Sequence, residues 1–176
     1  MAPALDLPAP HHYHCLVAES TDLTDLLVVA VSRGIDAPAH TVFEVLRDPK
    51  RHHEFDGSGM VGDSDAPPIA AVGDTFVMRM HNDEFGDYEM RNEVVEFVPD
   101  RSIAWAPKRH DVDDDEDWNH RWGWQLTPQG EVTEVTAFYD CSRVPEDGLR
   151  ILRRGEWGRP ILNRSLEKLR ELIVPR

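Results

Sequence analysis

Four side chains spread along the second half of the sequence have the chemistry to move a proton or polarise a carbonyl: Tyr88, Asn92, His120 and Tyr139. An imidazole exchanges its proton near neutral pH, and phenol or amide donors stabilise an enolate as it forms. His120 is the candidate proton-transfer group, and the other three are candidate polarisers. The plainer alternative is a core histidine satisfied by one of those same groups. Other chemistries lack their residues. Gly57-Ser58-Gly59 has no following lysine and no helix start, so it cannot cradle a phosphate. No serine sits in a nucleophile elbow, and no cysteine is paired with a histidine by motif. The histidine groups His11-His12-Tyr13-His14 and His52-His53 lack the spaced, carboxylate-oriented pattern of a catalytic zinc site. The run from Asp111 to Asp117 opens like a calcium loop but carries Glu116 where glycine must stand and Trp122 where the bidentate glutamate must, so it reads as a solvated hairpin loop. No metal and no cofactor are expected.

Strand alternation indicates which elements present those side chains, because successive residues of a strand point to opposite faces. One face carries Phe76, Met78 and Met80, against Val77 and Arg79; the next strand sets Tyr88, Met90, Asn92 and Val94 against Glu89, Arg91 and Glu93. A third strand sets Trp118, His120, Trp122, Trp124 and Leu126 against Asn119, Arg121, Gly123 and Gln125. In the last, Val135, Ala137 and Tyr139 point inward against Glu134 and Asp140. The inward sets form a wall of aromatics and methionines with a few polar groups, the composition of a ligand cavity. Phe55, Trp105, Trp157 and Ile161 complete the expected lining.

The strands themselves are expected near residues 24–35, 74–81, 87–98, 102–107, 118–126 and 131–141, with a further short one at 60–62. The first runs straight into an amphipathic helix: Asp36 stands at the N-cap, Pro38 in the first turn, and Val42, Phe43 and Leu46 share a face. A second short helix follows from Asp48-Pro49 and ends at the glycines. From Pro145 to Ile173 helical spacing returns, interrupted by Gly155, Gly158 and Pro160, which predicts a bend near Trp157.

The chain has 176 residues, enough for one domain, here 23–174 behind a mobile extension over 1–22. Its net charge of −14 opposes nucleic acid as a partner. The longest apolar run, Leu26 to Val31, is too short to span a bilayer, and the first residues lack a secretory pattern, so a cytoplasmic protein is expected. Cys15 and Cys141 are expected to be free thiols.

The order Ile35-Asp36-Ala37-Pro38-Ala39, Val42-Phe43, Asp48-Pro49, Asp56-Gly57-Ser58-Gly59, Gly73-Asp74-Thr75-Phe76, Asn92 to Phe97, the Trp105 strand and Thr136 to Asp140 resembles the START-like helix-grip superfamily (SRPBCC), in particular its polyketide cyclase/dehydrase-like actinobacterial members. The excess of arginine over lysine fits a GC-rich genome. The resemblance implies an α+β helix-grip fold: a curved seven-stranded antiparallel sheet around a long C-terminal helix, with two short helices after the first strand. It implies a monomer or homodimer that binds or carries a small hydrophobic molecule such as a lipid, polyketide or aromatic metabolite. A polyketide aromatase/cyclase or dehydratase is the alternative, although the cavity arginine of such enzymes has no clear counterpart, Arg33 being the only arginine that points inward by pattern. A protein-interaction module without a ligand is a third reading.

Overall fold

The computed structural model describes residues 27–84, 86–109, 119–145 and 158–175. Six strands form one antiparallel sheet: β1 (Val28–Ile35), β2 (Thr75–Asn82), β3 (Gly86–Val98), β4 (Ser102–Arg109), β5 (Arg121–Gln129) and β6 (Val132–Asp140), in the order β1-β6-β5-β4-β3-β2. Among the described residues three α-helices accompany it: α1 (Ala39–Leu46), α2 (His52–Phe55) and α3 (Arg159–Ile173). After β1 the chain passes through α1 and α2 and reaches the opposite edge of the sheet at β2, then meanders back strand by strand. This is the α+β architecture expected, with six strands among the described residues rather than seven. The anticipated strand at 60–62 is a single bridge, Val61 to Met80.

The first helix begins two residues later than its sequence suggests. Pro38, not Asp36, holds the N-cap position in extended geometry, and no side chain caps the helix. Its apolar stripe does what its spacing requires: Val42, Phe43 and Leu46 are buried. Asp48 accepts from the Lys50 amide and starts the 3-10 turn Pro49–Arg51 that leads into α2. Pro160 likewise falls in the first turn of α3, where its missing N–H costs nothing. The bend expected near Trp157, the 1–22 extension and the acidic run 111–117 lie outside the described residues.

Two irregularities shape the sheet. Between Val94 and Glu96 the register of β3 against β4 slips by one residue. A bulge of this kind reverses parity, and Phe97 thereby turns inward to meet Phe43 edge-on, with centroids 5.4 Å apart. The second is a parting of strands. β3 and β4 stay paired out to Met90↔Arg109, whereas the β4–β5 ladder runs only from Ser102↔Gln125 to Trp105↔Trp122. Gly123 is required by close packing, since a Cβ there would stand 2.3 Å from the Phe138 ring and 2.7 Å from Ala104.

The core lies between the inner face of the sheet and the helices. Ile35, Val94, Ile103 and Val135 from the strands meet Val42, Leu46, Leu166 and Leu169 from α1 and α3, all essentially inaccessible. Arg33 does point toward α3, as its parity suggests, but pairs there with Glu167 and is not part of the cavity wall. One outward assignment is overturned. Asp140, expected to face water, is only 2% exposed, because Arg121 directly opposite it on β5 covers and neutralises it.

Candidate functional site

Alternation in β2 and β3 carries Phe76, Met78, Met80, Tyr88, Met90 and Asn92 onto one concave surface, and β4 and β5 add Trp105, Trp122 and Trp124. These residues line a cavity of about 180 Å³, with Phe55 of α2 and Ile161 of α3 on its other side. Every methionine of the sequence except Met1 lines it, Met60 being the addition that the strand pattern did not supply. Of the expected lining residues, Trp118 and Trp157 lie outside the described residues; the others are present. The lining that the sequence did not suggest comes mainly from the helical side: His52, Asp56, Ser58, Val61, Leu162 and Ser165, with Pro107 from β4.

The four candidate polar residues separate into two layers. Tyr88, Asn92 and His120 line the cavity, but Tyr139 does not. Its ring stacks beneath Trp122 at 4.0 Å, and its hydroxyl bonds His120 Nδ1 at 2.7 Å from behind. Burial, reinforced by the neighbouring Cys141 thiol, pushes the Tyr139 phenol well above its ordinary range, so it keeps its proton. Tyr139 therefore stands behind the cavity wall as a hydrogen-bond partner of His120. His120 itself stands just ahead of β5, following Asn119, whose φ of 51° turns the chain into the strand. Asn92, 5% exposed, donates to the Met90 carbonyl at 3.3 Å. Tyr88 is half-buried, with the Arg109 guanidinium 5.4 Å above its ring; burial raises its phenol more than that cation lowers it.

His52, which the sequence leaves without a role, is a core residue. It is 5% exposed, lies stacked on Trp105 at 4.8 Å, meets Phe76 edge-on and lies tilted against Phe55. Its Nε2–H donates to the Leu46 carbonyl at 2.9 Å. Burial outweighs the help of that carbonyl and of Asp48, and lowers its pKa from 6.5 to about 4. The sign of the consequence is fixed. Between those values the unfolded chain takes up a proton here that the folded chain refuses, so stability falls as pH drops from 6.5 toward 4. The loss is about 3 kcal/mol at ~1.4 kcal/mol per pH unit. Urea denaturation at pH 7 and pH 4.5 should show it in the native protein, and His52→Phe should flatten the dependence over that interval.

The loop between α2 and β2 is tied to α3 by its backbone. The Gly57 amide donates to Ser165 Oγ at 2.9 Å, Arg164 Nε donates to the Gly57 carbonyl at 2.8 Å, and Lys168 Nζ donates to the Asp56 carbonyl at 2.5 Å. The Asp56 carboxylate folds the loop on itself, accepting from the Ser58 amide and hydroxyl and from the Val61 amide. No group of His, Cys, Asp and Glu side chains that could hold a metal occurs among the described residues. None of their helices is long and apolar enough to cross a membrane.

Residues 36–173 match the family model described as Activator of Hsp90 ATPase homolog 1-like protein. The chain is 34% identical over 117 residues to the uncharacterized protein Rv0088 of Mycobacterium tuberculosis, a match covering 62% of this chain and 46% of that protein. It thus spans about half the length of the curated relatives it matches. Among solved structures, a protein from Arthrobacter aurescens superposes with a TM-score of 0.66 at 12% identity, over 90% of this chain and 92% of the other. DynU16, a protein in the dynemicin biosynthetic locus, gives 0.53 at 23% identity over 81% of this chain and 47% of its own. These structural likenesses establish the fold alone. With its family match running from the end of β1 to the end of α3, the chain belongs to the Activator of Hsp90 ATPase homolog 1-like family, within the helix-grip (SRPBCC) superfamily.

Proposed function

We propose that the protein binds a small hydrophobic molecule in the cavity between its sheet and α3, to carry or sequester it. The observation that supports this most directly is the cavity's make-up: about 180 Å³ of space walled by methionines and aromatics, with a few placed polar groups. Methionine thioethers adapt to irregular shapes, which suits a wall meant to receive a guest. An Hsp90-activating role, which the family description suggests, calls for a docking surface. Among the described residues the exposed large apolar side chains are Val72, Val95 and Val98 alone, and the domain's distinctive feature is internal.

A second reading is favoured by one specific contact. His120 lines the cavity with the Tyr139 hydroxyl 2.7 Å from its Nδ1, the arrangement needed by an imidazole that takes a proton from carbon beside a carbonyl. An aromatase/cyclase or dehydratase acting on a polyketide would use it so, with Tyr88 or Asn92 polarising the carbonyl. The likeness to DynU16, from a biosynthetic locus, accords with either role.

Native mass spectrometry of protein purified from its own host, followed by organic extraction, tests the first reading: a stoichiometric apolar molecule is expected. If the extracted ligand is a poly-β-ketone that the protein converts, Tyr139→Phe should lower kcat about tenfold or more with little change in KM, because only the orientation of His120 is lost. Equal turnover by Tyr139→Phe would remove His120 and Tyr139 as an acid–base pair.

A further inference from the structure

The walls of the cavity also restrict the charge and chemistry of its guest. Among the described residues that line it there is no lysine or arginine. The nearby guanidinium of Arg109 lies over the Tyr88 ring, 5.4 Å from its centroid, and Arg164 donates to the Gly57 carbonyl. The single formal charge is Asp56, whose carboxylate is committed to the Ser58 and Val61 amides of its own loop. An anionic guest would lose its hydration and meet no counter-charge among the described lining residues, a loss that apolar contact does not offset. A cationic guest would meet a carboxylate already occupied.

The polar group best placed to greet a neutral guest is Asn92. It is 95% buried in the middle of β3, and its cross-strand partners are the apolar Phe76 and Pro107. Its amide nitrogen makes one long bond, to Met90. Its oxygen accepts from no donor among the described residues, yet is not sealed within protein, so it opens on the cavity. A ligand hydroxyl would supply that oxygen with the donor it lacks among the described residues. Size sets a further limit. A dry apolar cavity of about 150 Å³ holds a benzene-sized molecule, and this one is only slightly larger.

We propose that the cavity selects an uncharged, hydroxyl-bearing aromatic of one or two fused rings, and that Asn92 is the residue that recognises the hydroxyl. The proposal rests on the reading of the cavity as a ligand site and assigns the ligand's class.

Isothermal titration at pH 7.5 with p-cresol, toluene, p-toluate and 4-methylbenzylamine separates the two levels. The native protein is expected to bind p-cresol at least tenfold more tightly than either ion. Asn92→Leu is expected to weaken p-cresol about tenfold while leaving toluene equal or tighter. Binding of p-toluate or 4-methylbenzylamine as strong as that of p-cresol overturns the charge rule and leaves the cavity reading standing. An equal response of p-cresol and toluene to Asn92→Leu overturns the hydroxyl anchor. If neither p-cresol nor toluene binds, the cavity is no ligand site of this size, and the reading beneath the proposal falls with it. Should Asn92→Leu not fold, Asn92→Thr, which keeps a polar atom on a shorter arm, is expected to give a smaller loss for p-cresol alone, and no such loss overturns the anchor.

Discussion

Arg121→Leu is expected to destabilise the protein by about 3 kcal/mol, the lower end of the range for removing one member of a buried ion pair. Asp140 is 2% exposed, and Arg121 reaches one of its oxygens with two nitrogens, at 2.9 and 2.8 Å, while the Ser142 amide holds the other at 2.8 Å. Burial by itself would raise the Asp140 pKa; the Ser142 and Arg121 hydrogen bonds and the Arg121 charge reverse this and hold it below the usual carboxylate value. A carboxylate whose folded pKa is depressed adds stability above its unfolded pKa and loses it as pH falls through the folded one. Without Arg121 only the Ser142 hydrogen bonds oppose the burial cost, so the variant's deficit should shrink on acidification as Asp140 takes a proton. The double variant Arg121→Leu, Asp140→Leu should recover most of the loss, because it leaves no buried charge behind. Chemical denaturation of the three proteins at pH 7 and pH 4.5 checks both statements. A pair worth nothing would give three equal midpoints, and a deficit insensitive to pH would deny that Asp140 is its source.

Gly57→Ala should cost about 2–3 kcal/mol, typical of forcing atoms into a closed contact. Its added methyl would stand 2.2 Å from the Ile161 carbonyl and 2.7 Å from both the amide and the hydroxyl of Ser165. Those are atoms of a helix backbone and of the side chain that receives the Gly57 amide, so nothing flexible can turn aside. The loop must retreat from α3 and take with it the Ser165, Arg164 and Lys168 bonds. Ile161, Leu162 and Ser165 also wall the cavity, so ligand affinity should fall together with the melting temperature, by roughly 5–10 °C for a domain of this size. Gly59→Ala is the control. With φ of 77° but no atom within 4 Å of its added methyl, it should cost only about 1 kcal/mol of backbone strain and leave the cavity intact.

How much of this was legible beforehand depends on how local its cause is. Side-chain direction along a strand follows from the backbone two residues at a time. The inward set Phe76, Met78, Met80, Tyr88, Met90 and Asn92 could therefore be read from alternation, as could the buried stripe of α1. The family resemblance was legible for the same reason, since its motifs mark strand-to-helix junctions and turns. What the sequence by itself determined is thus the α+β class, the order of elements and one face of the site.

The rest depended on groups far apart in sequence meeting in space. Asp140 reads as a solvated charge until β5 and β6 pair and place Arg121 opposite it. Tyr139 shares parity with its inward neighbours but stands behind Trp122 rather than beside it, a difference of depth that alternation does not encode. His52 reads only as one of two adjacent histidines without a ligand pattern until α2 carries it into the aromatic cluster of Trp105, Phe55 and Phe76. The helical wall of the cavity exists only because Gly57 allows its loop to touch α3 across more than a hundred residues of chain. Local preference chooses the face a side chain presents; only tertiary packing decides what that face meets, how dry it is, and whether space is left between.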